Sequence, residues 1–219
     1  MVDPTRSEFH GVRADSPQDA LGIAAANSDL AAINALLADG VAVDGVAGYS
    51  QSTALCSAAG AGAKRATELL IRSGADVNRP GAHDMTPLMQ ACSCGGKKGE
   101  KVAALLLDAG ADVNAVRAAD EMTALKFAVG GGTPETVRGL VDAGAVVDGP
   151  PGEPLTALMI AARNNNVKAL KVLIDAGADP HRTCGLPWAE NRTALGLAEL
   201  EKQRQAAAYL RTLEPGRAD

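Results

Sequence analysis

The sequence predicts an all-α solenoid of stacked helix-turn-helix units with projecting hairpin or loop fingers, and three observations predict it. A Thr-x-Leu signature recurs at Thr53-Ala-Leu55, Thr86-Pro-Leu88, Thr123-Ala-Leu125, Thr156-Ala-Leu158 and Thr193-Ala-Leu195, with threonine spacings of 33, 37, 33 and 37. A second marker, a glycine closing a Leu-rich stretch, recurs at Gly40, Gly74, Gly110, Gly144 and Gly177, with spacings of 34, 36, 34 and 33. Aromatic residues are only 2% of a chain that is 47% hydrophobic, so Ala, Leu, Val and Gly must fill the interior, which favours thin layers of closely spaced helices. A unit of this period is too small to bury its own apolar face, so stacking must cover it.

Residues 1–15 carry Asp3, Arg6, Glu8 and Arg13, lack the apolar stretch of a signal peptide, and are expected to form a loose tail. The first unit begins with Asp19-Ala-Leu21, because Asp19 leads Gly40 by the same 21 residues that separate Thr53 from Gly74, Thr123 from Gly144 and Thr156 from Gly177. The clearest copy shows how a unit is built. Leu158, Ala161 and Ala162 precede a break at Asn164 to Asn166, and Val167, Leu170, Leu173 and Ile174 follow at helical spacing, so the unit reads as two short helices. Thr156 stands where a hydroxyl can accept an unpaired N–H of the first turn, and Pro87 fills the next slot in another copy, where its fixed φ suits a first turn. Gly177 ends the second helix as a residue free to adopt the left-handed conformation. A polar stretch containing Pro and Gly then returns the chain to the next Thr as a finger.

The units therefore start near 19, 53, 86, 123, 156 and 193 within one domain, 16–213, followed by a C-terminal tail, 214–219. The last unit lacks the closing Gly-Ala and reads as a polar-faced cap. Two insertions break the period. Three extra residues fall within Cys94-Gly-Gly-Lys-Lys-Gly-Glu100, expected between the helices of that unit, and the stretch from Gly177 to Thr193 is long and contains Trp188.

These motifs resemble the ankyrin-repeat family, whose units have a 33-residue period and a Thr-Pro-Leu-His-x-Ala motif. The resemblance covers roughly residues 19 to 211. The family's His after Leu is replaced by Cys56, Met89, Lys126, Met159 and Gly196. Its Gly two residues before Thr is replaced by Gln51, Asp84, Glu121, Pro154 and Asn191. The resemblance implies a module that binds a protein partner, as a scaffold, adaptor or regulatory subunit, through a concave groove and its fingertips. Mapped by offset from each Thr, groove positions are Ile23, Asn27, Ser57, Gln90, Phe127, Ile160, Arg163 and Asn164, and fingertip positions are Tyr49, Arg79, His83, Arg117, Glu121 and Trp188. Trp, Tyr and Arg are the types that carry binding energy at interfaces, which singles out Trp188; the competing role for that ring is packing against the C-terminal cap.

Lys plus Arg is 21 against 26 for Asp plus Glu, a net charge of −5, so nucleic acid or an anionic membrane has no bulk electrostatic support as a partner. The longest clean apolar run, Val102 to Leu107, is far short of the roughly 20 residues of a spanning helix. An intracellular, cytoplasmic protein, monomeric by itself and with its four cysteines reduced, is the expectation. Cys92-Ser-Cys94, with Cys56 and His83, suggests an alternative, a thiol- or metal-responsive regulator. Against it, Cys92 occupies the slot of a buried small residue, and residues two apart on a helix do not face one another. Gly95 to Lys101 lacks the order of a phosphate-binding loop and reads as solvated. Gly130-Gly-Gly132 falls at a helix break, and Asn191-Arg-Thr193 matches a glycosylation sequon only because a repeat starts there. His10, His83 and His181 have no nucleophile or carboxylate at a recurring offset, so no enzyme, cofactor or metal site is expected.

Overall fold

The computed structural model describes residues 7–48, 50–149 and 154–214. They fall into two compact units, with the boundary between Ala124 and Leu125.

The N-terminal unit opens with a hairpin where the sequence suggests a loose tail. Strands β1 (Ser7–Phe9) and β2 (Val12–Ala14) pair antiparallel. The connecting residues His10 and Gly11 have φ of 48° and 81°, the positive values a two-residue hairpin turn needs. Val12 and Ala14 alternate onto one face, are buried, and pack β2 against α1 (Pro17–Ala26). His10 Nε2 also lies 2.6 Å from Asp39 Oδ2. Period-2 patterning over only three residues is too short a signal to read against a charged background.

Five more helices complete this unit: α2 (Leu30–Ala38), α3 (Ala54–Gly60), α4 (Lys64–Arg72), α5 (Pro87–Cys94) and α6 (Gly96–Asp108). First helices stack on first helices, α1 on α3 on α5, and second on second, α2 on α4 on α6. The C-terminal unit follows the same plan with α7 (Ala124–Gly131), α8 (Pro134–Asp142), α9 (Ala157–Arg163), α10 (Val167–Asp175), α11 (Ala194–Leu200) and α12 (Arg204–Arg211). There α11 packs on α9, and α10 lies between α8 and α12.

The recurring residues do what their chemistry suggests. Thr53, Thr86, Thr156 and Thr193 each accept the backbone N–H three residues on, at 3.1 to 3.3 Å, as N-caps. The first unit departs by one turn: α1 is capped by Ser16 with Pro17 behind it, so Asp19 sits inside the helix. Leu21, Leu55, Leu88, Leu125 and Leu158 are buried, and the buried alanine three residues after each, Ala24, Ala58, Ala91, Ala128 and Ala161, lets neighbouring helices approach closely. Gly40, Gly74, Gly110, Gly144 and Gly177 have φ between 86° and 91°. Each donates its N–H to the carbonyl three residues back, and the next residue donates to the carbonyl five back, which closes the helix end.

Fingers are tied to one another through carboxylate and amide side chains. Asp44 accepts the Asp76 N–H at 3.0 Å, Asn78 accepts the Asp112 N–H at 2.7 Å, and Asp148 accepts the Asp179 N–H at 3.0 Å.

The 94–100 insertion is not a loop. Helix α6 has 13 residues where α4, α8 and α10 have 9, so the extra residues form one more turn at its N-terminus. Gly99 permits this, because a Cβ there would run into the Ala91 carbonyl of α5, and Lys97 pairs with Glu100 at 3.0 Å on the outside.

Candidate functional site

In the C-terminal unit the long connection before Thr193 is an ordered hairpin. Cys184 donates its N–H to the Arg192 carbonyl at 2.8 Å, and Gly185 donates to Pro154 at 2.9 Å. A 3-10 turn over Pro187–Ala189 caps it, with Cys184 and Ala189 fully buried as its small-residue base. Glu190 and Asn191 complete the reversal with φ of 51° and 57°.

Trp188 projects from this turn and stays 45% exposed. One ring face lies on the guanidinium of Arg163, 4.6 Å from the centroid, at the end of α9. Arg163 also reaches Glu201 at 3.6 Å, and its Nε is shielded from solvent with no hydrogen-bond partner. A cation over an indole face restrains both groups, while nearly half of the Trp188 surface stays in solvent. Two of the sequence candidates, one from a finger and one from a helix, therefore form a single feature. Beside them Asn164 is exposed, whereas Ile160 and Phe127 are half-buried on α9 and α7.

Asn165 and Asn166 were legible only as a break, but they hold this part of the unit together. Asn166 accepts the Ala169 N–H at 3.1 Å and donates to the Val129 carbonyl at 3.0 Å, while Asn165 accepts the Ala206 N–H at 2.9 Å. Three successive repeats are thus bound by two side chains.

In the N-terminal unit the finger candidates Arg79, His83 and Arg117 lie on two fingers. Arg79 and His83 are exposed on one finger, where His83 and Asp84 have φ of 58° and 55°. Arg117 is half-buried and forms a two-pronged ion pair with Asp120 of its own finger, which holds the guanidinium charged above its ordinary range with help from Asp84. Its backbone pairs with Met122, so this side chain braces its finger. Tyr49 lies outside the described residues. Ile23 and Ser57, both groove positions, meet in a pocket of about 190 Å³ lined also by Ala14, Asp15, Asp19 and Gly22.

Cys92 and Cys94 do not converge. Cys92 is buried inside α5, where burial pushes its thiol up to about 12, and Cys94 is exposed. Among the described residues no group of three or more His, Cys, Asp or Glu is placed to hold a metal ion, and no helix is long and apolar enough to cross a membrane.

A family model described as ankyrin repeats (3 copies) matches residues 21–117 and again 88–184, together about three quarters of the chain. This protein belongs to the ankyrin-repeat family. No curated protein matches the chain. Ankyrin repeats are generally protein-protein interaction modules, and that general role is what the family supplies here.

Two departures from the ankyrin motif have structural answers. At the family's His position, the Cys56 thiol faces the finger carbonyls of Arg79 at 3.7 Å and Met85 at 3.6 Å, while Met159 Sδ accepts the Thr156 N–H at 3.5 Å. Lys126 at the same position is only 5% exposed. At the family's Gly position, Gln51, Asp84, Glu121 and Asn191 all adopt φ between 51° and 57°. The left-handed geometry is kept without glycine, at a cost in backbone strain. Pro154 is the exception, its ring holding φ negative.

Proposed function

We propose that this ankyrin-repeat chain is a non-catalytic recognition module, a scaffold, adaptor or regulatory subunit, that binds a protein partner through its first-helix faces and fingers. The observation that carries this reading is Trp188, held by an ordered turn over Arg163 with nearly half its surface in solvent. An indole fixed in this way anchors an interface at little entropic cost, since its rotamer is already chosen. Arg163, Asn164, Ile160 and Phe127 extend the surface in the same unit, and Tyr49, Arg79, His83 and Arg117 supply finger contacts in the other. Residues 16–213 act as one repeat domain, since the repeat period runs through Ala124 and Leu125 without a linker-like stretch. The module works in the cytoplasm as a monomer, with no nucleic acid or membrane as partner.

The test is affinity capture with the wild-type chain, Trp188→Ala and Arg163→Ala, with unfolding midpoints measured in parallel. Trp188→Ala should weaken capture of the partner by a factor on the order of 30, about 2 kcal/mol, with a much smaller change in the midpoint. Undiminished capture by both variants would sink Trp188 as the anchor. The thiol- or metal-regulator reading has no observation in its favour, because its two cysteines lie in different environments.

A further inference from the structure

Helices α11 and α12 are the last of the described helices, so positions that meet a following unit in earlier repeats have none to meet here. Two of these positions are filled in an unexpected way. Seven residues after the repeat threonine, Arg163 is covered by Trp188 of the next finger, whereas Leu200 at the same place is 44% exposed. In the turn between the two helices of a unit, the left-handed position carries Ser28, Gly62 or Asn165, and Asn165 accepts the Ala206 N–H of the next repeat. Lys202 takes that position in the last unit with φ of 58°, a conformation that glycine adopts freely and lysine only at a cost.

Around Lys202 lies a cavity of about 280 Å³, lined by Ala198, Glu199, Gln203, Arg204, Ala207 and Arg211. Its lining sets three cations against one carboxylate, in a chain whose net charge is −5. Glu199 is engaged by Arg211 at 2.7 Å, while Lys202 and Arg204 are exposed and in no ion pair among the described residues. A guanidinium has five N–H donors in a fixed fork, so the bond to Glu199 orients Arg211 and leaves donors for a second acid. The apolar part of the cavity is Ala198 and Ala207, both buried, and no aromatic ring lines it.

We infer that this end of the stack binds an acidic segment of a protein partner, its carboxylates at Lys202, Arg204 and Arg211 and an apolar side chain against Leu200. The inference rests on the interaction-module reading and adds a contact that shares no residue with the Trp188 and Arg163 feature. Charge complementarity selects the occupant: a basic segment would be repelled by the unpaired cations, and a neutral one would leave them without a counter-charge. A polypeptide can set an apolar side chain next to an acidic one, which suits Leu200 beside the cations; a free phosphate has no apolar part. The negative charge elsewhere on the chain does not prevent approach, because charges more than about 8 Å apart are largely screened at physiological ionic strength.

The test needs no knowledge of the partner. The full-length ¹⁵N-labelled protein is titrated with acetyl-Gly-Leu-Glu-Glu-Gly-amide, with the same peptide carrying Gln in place of both Glu, with the same peptide carrying Ala in place of Leu, and with inorganic phosphate. Saturable shifts at the amides of Ala198, Lys202 and Ala207 are expected with the first peptide. Affinity should be at least about fivefold weaker with the Gln peptide and about threefold weaker with the Ala peptide. Lys202→Gly places at this turn the residue that Gly62 supplies in another repeat, so the variant should fold at least as well as the wild type. Combined with Arg204→Gln, it should bring the Glu and Gln peptides together in affinity. Equal binding of the Glu peptide and either control by the wild type, shifts that avoid these three amides, or phosphate bound as tightly as the Glu peptide overturns the inference. Trp188→Ala should bind the Glu peptide as the wild type does, so the anchor role of Trp188 and this end contact can fail separately.

Discussion

At the scale of single residues, the periodic glycines separate backbone geometry from packing. Gly110 has φ of 86° and open space where a Cβ would stand, so Gly110→Ala should cost about 1 kcal/mol through backbone strain alone. Gly131→Ala is the matched control, with equally open space, no positive φ and a place in α7; urea midpoints should show it neutral or slightly stabilising. Equal losses at both sites would remove the conformational role assigned to the repeat glycines. Gly96 is a poor control, because it too has a positive φ, 55°.

Cys92 yields a pH prediction. Its ordinary value is 9.0 and burial raises it to about 12 in the fold. Between those values the unfolded chain releases a proton that the folded one keeps, so this thiol lowers stability as pH rises. The stability difference between Cys92→Ala and wild type should therefore move in favour of the variant by about 2 kcal/mol between pH 7 and pH 10.5 in denaturant titrations. A difference independent of pH would contradict the buried, neutral thiol. In the native state at pH 8, Cys94 should react with a thiol reagent well before Cys56, Cys92 and Cys184, which are buried.

At the scale of elements, the break between α9 and α10 is a joint as well as a turn. Asn166→Ala removes the α10 cap and the bond to the Val129 carbonyl together, and should destabilise by about 2 kcal/mol. Asn164→Ala, at an exposed neighbouring position, should stay within about 0.5 kcal/mol. A reversed order in the measured midpoints would show that the side-chain ladder does not hold the repeats. Helix α6 makes a related point. An insertion expected as a loop became an extra turn because Gly99 lets α6 lie against the α5 carbonyls, and neither Gly nor Lys spacing along the chain announces such a close approach.

For the whole molecule, a stack stabilised between neighbours should respond to truncation at both ends. Removing residues 193–219 strips α11 from α9 and α12 from α10, exposing buried Leu158, Leu170 and Leu173, and should lower the denaturant midpoint or the solubility. Removing residues 1–15 should also lower stability, since Val12 and Ala14 cover α1. That outcome reverses the expectation of a loose tail, and an unchanged midpoint would restore it.

What the sequence determined by itself was the repeat. Thr caps, Leu and Ala core positions, and left-handed glycines act within a few residues of one another, so their spacing specifies each helix pair before any tertiary contact exists. The family followed from the same local grammar, as did the burial of Cys92. Tertiary structure decided which side chains meet and which turns the fingers take: the seating of Trp188 on Arg163 and the pocket that β2 builds over Asp19, and, within single fingers, the engagement of Arg117 with Asp120 and the left-handed Gln51, Asp84, Glu121 and Asn191. The physical reason is that a periodic pattern records which face of a helix is apolar, but not which neighbouring side chain a finger or hairpin will bring to meet it.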